Sequence, residues 1–275
     1  MLLLRKVLLS LSLMVALLAT VVFGVALSYQ DALTVPVYEL SSGQTPISFM
    51  LAGDIHNHPD QYADGNSLSA ALEEHDPDFL FFSGDMIDSH TTDFSFLDPL
   101  LNKARELSIP AYFVFGNHEG DLSKARVEEF RSYMEGQGAI DVEGKTVELA
   151  PGYTLSGVAD PSLNPFVDAY RLVEQELKDL QGTFDEGAYN IVLCHQPNFS
   201  GLMSSYGFDL ALSGHTHGGQ GQIGDLALFS HSGVFHGLYT RNDFAHVVTA
   251  GAGTSYYLPL RFMQTNEFPL IELES

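Results

Sequence analysis

The chain holds a single cysteine among its 275 residues, Cys194, so an intramolecular disulfide is excluded and cysteine usage says nothing of redox compartment. Basic residues are also scarce: 12 Lys and Arg stand against 35 Asp and Glu, for a formal net charge of −23. A surface of that sign repels nucleic-acid phosphates and anionic lipid head groups, and binding by counterion release needs the opposite sign, so no nucleic-acid binding is expected. Charged residues amount to only 17% against 45% hydrophobic ones, which excludes wholesale disorder and leaves enough apolar surface for a sizeable core. Repeats and low-complexity tracts are absent beyond one N-terminal apolar run, and no shift in composition marks a second folded domain.

That run extends from Val7 to Leu27 without a charge. As a helix it would rise roughly 30 Å, the thickness of a bilayer's hydrocarbon layer. A signal peptide has a shorter apolar region, about 7–15 residues, and a small-residue cleavage site. Ala26-Leu27-Ser28 offers such a site, while the length favours a retained anchor. Arg5 and Lys6 precede the run and no basic cluster follows it closely, which keeps the N-terminus cytoplasmic and places the body outside under either reading. The expected division is a membrane anchor over 1–29, a linker over 30–46 with a strand at Val35–Leu40, and a catalytic domain over 47–275.

Within the body, Ile47–Ala52, Asp78–Ser83 and Ala111–Phe115 are continuous apolar runs bounded by turn residues and read as buried strands. Helical patterns at Ser67–Glu74, Phe96–Leu107 and Ser123–Met134 follow them in turn, with a further one at Val167–Leu180. Such strand–loop–helix units imply a largely parallel sheet covered by helices, an α/β architecture whose ligands bind at the carboxyl ends of the strands. Further strands are expected at Tyr153–Gly157, Tyr189–Leu193, Phe208–Leu212, Leu226–Phe229, His246–Ala250 and Leu270–Leu273.

The chemistry collects at those strand ends: Asp54-Ile55-His56, Gly84-Asp85-Met86-Ile87-Asp88, Gly116-Asn117-His118-Glu119, His195 and Gly214-His215-Thr216-His217. Residues i and i+2 of an extended segment face the same way, so Asp54 with His56, and His215 with His217, can each turn two ligands into one cavity. Carboxylates, imidazoles and an amide oxygen suit Mn²⁺, Fe or Zn²⁺, and the lack of thiolates excludes a structural zinc cage. Singly, each has a plain structural role: Asp85 a helix cap, Asn117 a turn residue, His195 a hydrogen-bonded histidine. Five such elements in this order at successive strand ends point to one metal centre.

The set resembles the calcineurin-like metallophosphoesterase family, marked by Asp-x-His, Gly-Asp-x-x-Asp, Gly-Asn-His-Glu/Asp, a later His and Gly-His-x-His. The resemblance covers Ile47 to the C-terminus. Gly214–Gln220, and Gly251–Ser255 followed by Pro259-Leu260-Arg261-Phe262, are similar to a narrower bacterial membrane-associated branch that includes UDP-2,3-diacylglucosamine pyrophosphatase-like enzymes. The resemblance implies a two-sheet β-sandwich flanked by helices, with two divalent metal ions at one sandwich edge. It places the first ion on Asp54, His56, Asp85 and His217, and the second on Asp85, Asn117, His195 and His215. Asp85 would bridge them, His118 would face the substrate, and Asp88 would orient a ligand from behind. Asn57-His58-Pro59 departs from the small residue common after Asp-x-His, and His58, His75, His90, His231, His236 and His246 match no motif position.

The implied reaction is in-line hydrolysis of a phosphate ester, phosphodiester or pyrophosphate favoured, by a metal-bridging hydroxide with His118 as acid. A phosphomonoesterase is the rival enzyme and a catalytically dead metal-binding scaffold the rival outside enzymology; no ligand position is lost. The substrate is expected to be a phosphate-ester small molecule or a lipid-linked one. A lipid–nucleotide pyrophosphatase would meet its substrate in the cytoplasm, against the orientation that Arg5 and Lys6 imply.

Overall fold

The computed structural model describes residues 2–29, 32–164, 166–184, 187–220, 222–223, 226–227, 233–254, 261 and 264–275. In chain order the elements are α1 Leu2–Tyr29, β1 Leu33–Thr34, β2 Val37–Ser41, β3 Ile47–Ala52, α2 Leu68–His75, β4 Phe79–Phe82, α3 Asp98–Leu107, β5 Ala111–Phe113, α4 Asn117–Gly120 and α5 Lys124–Gly136. Then come β6 Ile140–Asp141, β7 Thr146–Ala150, β8 Tyr153–Val158, α6 Ala169–Gln181, β9 Tyr189–Cys194, α7 Ser200–Ser205 and β10 Leu210–Ser213. The chain closes with β11 Gln222–Ile223, β12 Leu226–Ala227, β13 Gly237–Arg241, β14 Phe244–Val248, β15 Asn266–Glu267 and β16 Leu270–Glu274.

Two six-stranded sheets stack face to face, one in the order β2-β16-β3-β4-β5-β6 and the other β13-β14-β10-β9-β8-β7. In the first, β3 to β6 run parallel, and in the second β8, β9, β10 and β14 do, so both centres have the parallel pairing that helix crossovers produce. Strands covered on both faces have no polar side, which is why β4 reads Phe-Leu-Phe-Phe with all four residues buried. One face of each sheet meets the other through Phe49, Phe81, Ile191, Leu212 and Val247. The outer face of the first packs Leu72, Leu101 and Phe130 of α2, α3 and α5, and that of the second packs Val173, Leu177 and Met203 of α6 and α7. Helix starts are capped as their sequences ask: Ser67, Ser123 and Asp168 accept from Ala70, Arg126 and Arg171 N–H. The two-sheet sandwich flanked by helices matches the expected fold. The expected strand endings Ser83, Val114 and Phe115 lie just beyond β4 and β5, where the chain leaves the sheet for the loops that carry polar residues.

Residues 32–46 differ from the expected linker. β2 pairs in parallel along the whole of β16, and β1 pairs with β15. Without β2, β16 would present a row of unpaired N–H and C=O groups at the sheet edge. Tyr38 and Leu40 also pack against the inter-sheet core. The expected strand at Val35–Leu40 therefore exists, shifted to Val37–Ser41, and belongs to the domain. Phe229, the end of one expected strand, and His231, Ser255, Pro259, Leu260 and Phe262 lie outside the described residues.

A chain that begins at Ile47 should accordingly be less stable than one that begins at Gln30. Loss of one strand and two partly buried side chains is worth at least about 3 kcal/mol, or roughly 6–12 °C for a body of this size. Thermal unfolding followed by circular dichroism measures the gap, and coincident midpoints would show that β2 adds nothing.

Candidate metal centre

The carboxyl ends of β3, β4 and β5 from one sheet and of β9, β10 and β14 from the other meet at one edge of the sandwich. Bonds across the seam lock this edge. The His215 N–H donates to both carboxylate oxygens of Asp54 at 2.9 Å, and His195 Nδ1 lies 2.8 Å from the Ser83 carbonyl. A carbonyl only accepts, so His195 Nδ1 carries a proton and Nε2 is the ring atom turned into the cavity.

All seven expected ligand residues come together here. His56 Nε2 lies 3.1 Å from His217 Nε2, and His217 Nε2 lies 3.7 Å from Asp54 Oδ1. On the other side, Asn117 Oδ1 is 2.7 Å from His215 Nδ1 and 3.1 Å from His195 Nε2. Asp85 stands between the two groups, its Oδ2 3.1 Å from His195 Nε2 and 3.9 Å from His56 Nε2. Candidate donor atoms lie within 4.8 Å of one another in three triads: Asp54–His56–His217, His56–Asp85–His118 and Asp85–His195–His215. Asp54, His56, Asp85, His195 and His217 are buried.

The backbone is bent to achieve this. Asp54, His56, Asp85, His215 and His217 all have φ between 46° and 73°, a left-handed conformation that costs a non-glycine residue of order 1–3 kcal/mol. Glycine supplies the room. A Cβ at Gly84 (φ 101°) would meet the Gly116 backbone nitrogen at 2.6 Å and His195 Nδ1 at 2.8 Å. A Cβ at Gly251 (φ 80°) would meet the Asp54 Cβ at 2.5 Å.

The donor set suits cations. Burial lowers His56 to about 4 and His217 well below the ordinary imidazole value, so both are neutral with lone pairs on offer. Two neutral Nε2 atoms so close can share at most one N–H···N bond, and His56 Nδ1 is buried without a hydrogen-bond partner among the described residues. Burial would raise Asp85, yet the neighbouring His195, His56 and His118 hold its carboxyl far below the usual carboxylate range. For His195 burial pulls downward but the Asp85 and Asp54 carboxylates outweigh it and push it up to about 10, and a divalent cation would take the place of the Nε2 proton. Imidazoles around an ionised, shared carboxylate are donors that borderline divalent cations take.

His118 lies in the first turn of α4, where its N–H donates to Asp85 Oδ1 at 2.8 Å and its Nε2 lies 4.0 Å from Asp85 Oδ2. Its ring meets His56 edge-on at 4.6 Å and keeps partial exposure. Asp88 accepts from His90 N–H at 2.7 Å, donates its N–H to Thr91 Oγ1 at 3.0 Å and adds its charge at His56.

The residue that does hold the ligand loops is Glu119. Fully buried, it accepts from the N–H groups of Asp85 (2.9 Å), Ile87 (2.9 Å) and Gly116 (2.8 Å). Its sequence signal was its place three residues after the helix-starting Gly116, where an acid reaches back to the cap. Arg261, also fully buried, donates to the carbonyls of Ala250, Gly251, Gly253 and Thr265 and so clamps the loop behind Asp54. His246 lies behind His195 and His215, between Ser200 Oγ (3.0 Å) and Ser213 Oγ (2.9 Å). At the rim, His58 stacks on Tyr62 with ring centroids 4.7 Å apart, so the Asn57-His58-Pro59 departure leaves the ligands in place.

Residues 47–219 match the calcineurin-like phosphoesterase family, and the chain belongs to that family. It is therefore a metal-dependent phosphoesterase. An uncharacterised metallophosphoesterase of Aquifex aeolicus is 30% identical over 68% of this chain and 68% of its own length. A transmembrane protein with a metallophosphoesterase domain from Danio rerio is 28% identical over 87% of this chain and 56% of its own. The crystal structure of a 5'-nucleotidase precursor from Thermus thermophilus shares the fold, with a TM-score of 0.50 at 15% identity over 75% of this chain and 49% of that one. The chain spans about half the length of the last two.

Glu119→Ala should strand three buried N–H groups and release the loop that carries Asp85. An unfolding free energy lower by about 3 kcal/mol and metal binding weaker by roughly 10–100-fold are expected, with both ions still bindable at high concentration. Titration calorimetry with Mn²⁺ checks this, and unchanged affinity would remove Glu119 from the centre's support.

Proposed function

We propose that the chain hydrolyses a phosphodiester or pyrophosphate outside the cytoplasm while tethered by α1. The observation that carries the chemistry is the convergence of seven donors on two adjoining positions joined by Asp85. Asp54, His56, Asp85 and His217 would hold one ion, and Asp85, Asn117, His195 and His215 the other. Once bound, such ions draw charge from the non-bridging phosphoryl oxygens and make a water acidic enough to attack phosphorus at neutral pH.

This chain's own residues then do the following. Asp85, ionised and shared, keeps two positive charges close together. His118 stands beside the ligands with its Nε2 turned toward Asp85 and delivers a proton to the departing oxygen. Asp88 supports His56 through its charge. The partners of the two carboxylates are imidazoles and Arg261, whose guanidinium is committed to backbone carbonyls. A centre with imidazoles rather than free guanidinium groups around it suits a singly charged diester better than a doubly charged monoester. The monoesterase reading is separated by comparing nitrophenyl phosphate with bis(nitrophenyl) phosphate. The scaffold reading fails on retention of every donor.

Chelation should abolish turnover and Mn²⁺ restore it, and two variants test the assigned roles. Asp85→Asn removes the charge between the ions, so metal content and turnover fall together. His118→Ala removes no ligand, so both ions stay while the rate drops about 10²–10⁴-fold, less for a nitrophenolate leaving group that needs little protonation. A His118→Ala protein that loses metal, or is slowed equally whatever the leaving group, would show that His118 has another role.

For the tether, Leu4–Val25 within α1 is long and apolar enough to span a bilayer, with none of it buried. The full chain should fractionate with membranes, and a chain beginning at Gln30 should be soluble. A mature protein that begins at Tyr29 would make α1 a cleaved signal sequence.

A further inference from the structure

The strand directions fix where the tether enters the catalytic body. β16 runs antiparallel to β3 and β2 runs parallel to β16, with Leu270 opposite both Met50 and Val37. The amino end of β2 therefore lies at the same edge as the carboxyl end of β3, where Asp54 sits. β1 lies further out at that edge, with Thr34 opposite Glu267, whose N–H donates to Gly251 O at 2.9 Å. Gly251 in turn touches Asp54, so Leu33 and Thr34 are about two strand spacings, ~10 Å, from the metal centre.

The tether is short. Val25 ends the apolar span and Leu33 begins the fold, which leaves residues 26–32 between them. Fully extended, they reach about 25 Å. A body of this size is about 45 Å across, so a chain attached at the metal-bearing edge cannot turn that edge to the far side. A second observation agrees. Outside α1, the large apolar side chains exposed among the described residues are Val37, Ile140, Phe166, Val167, Tyr170 and Leu238. All but Ile140 lie at the metal-bearing end of their elements. Val37 and Leu238 begin β2 and β13 there, and Phe166, Val167 and Tyr170 follow the carboxyl end of β8.

The Phe166 segment is fixed beside the site. Asp160, at its start, accepts from the Gln196 side-chain amide at 2.8 Å, next to His195. The Ser162 hydroxyl approaches the carbonyl of Asn117, and a Cβ on Gly120 of the same short helix would strike it. Phe166 itself is 95% exposed and Tyr170 54%. Aromatic and aliphatic groups held out on one side of a catalytic cleft match the chemistry of a bilayer's interfacial layer.

We propose that the metal centre opens onto the bilayer surface, with Phe166, Val167 and Tyr170 seated among lipid head groups, and acts on phosphate esters held in that surface. This rests on the phosphoesterase reading and on retention of α1. The acidity of the chain selects zwitterionic rather than anionic lipid as the contact surface.

The chain contains no tryptophan, so one can be placed at will as a reporter. The full chain is reconstituted in phosphatidylcholine vesicles as Phe166→Trp and, at the opposite edge, as Asp243→Trp. Emission at position 166 should shift to the blue and be quenched by lipids carrying a shallow nitroxide, and emission at 243 should do neither. The same vesicles then receive, with Mn²⁺, either nitrophenyl hexadecyl phosphate or soluble bis(nitrophenyl) phosphate. A flexible insert of about 30 Gly and Ser residues after residue 30 should lower turnover of the membrane-held ester about tenfold, as effective concentration falls with tether length, and leave the soluble ester unaffected. An unquenched tryptophan at 166, or a ratio of the two rates that ignores the insert, overturns the membrane-facing centre while the phosphoesterase reading stands. Failure to hydrolyse either ester overturns the phosphoesterase reading itself.

Discussion

Asp85 is an ionised carboxylate with almost no access to water, and the whole metal-bearing edge is arranged around it. Burying such a charge costs several kcal/mol unless partners meet it on every side. Here imidazoles face Oδ2, the His118 N–H binds Oδ1, and the residue's own N–H is held by Glu119. Five candidate ligands in left-handed conformations add their own cost. None of this stabilises the fold. It is sustained by the apolar layers beneath, where Phe49, Phe81, Phe82 and Phe113 are wholly buried, and by whatever cations the edge takes up.

The strain also explains how far the sequence could be read. Local signals named the strands because fully buried strands are continuous apolar runs, and the ligands because Asp-x-His and Gly-His-x-His stand where such runs stop. Glu119 was visible as a letter of its motif, but its role depends on backbone N–H groups of another loop, which no local pattern reports. That the strand expected at Val35–Leu40 belongs to the body was hidden for another reason. Val37–Ser41 is an edge strand with alternating exposure, weakly apolar on its own, and its partner β16 lies at the other end of the chain.

The site belongs to neither sheet. Asp54, Asp85 and Asn117 come from one and His195, His215 and His217 from the other, so the two groups keep register only while the sheets stay stacked. The bonds from His215 N–H to Asp54, and between His195 and Ser83, set that register at the seam itself. Behind it, the Ser213 hydroxyl donates to the Cys194 carbonyl and bears against His246, which ties the strand before His195 to the strand before His215. A change in the inter-sheet core would therefore be felt as a change in metal geometry as well as in stability, because packed interiors transmit displacement with little loss.

Arg261 adds a constraint of a different kind. A guanidinium beside a phosphate site ordinarily serves the substrate, yet this one is fully buried and its two terminal nitrogens donate to the carbonyls of Ala250, Gly251, Gly253 and Thr265. Those carbonyls belong to the turn that presses Gly251 against Asp54, so the cation fixes a ligand's position from behind. Burial pushes the Asp54 carboxyl up to about 7, and the Arg261 charge, with that of His195, offsets part of that rise. The consequence is a centre whose positive charge is to come from bound ions, with the protein's own cation serving to place a donor. Selectivity then has to arise from the rim, and the rim is where the exposed apolar residues stand.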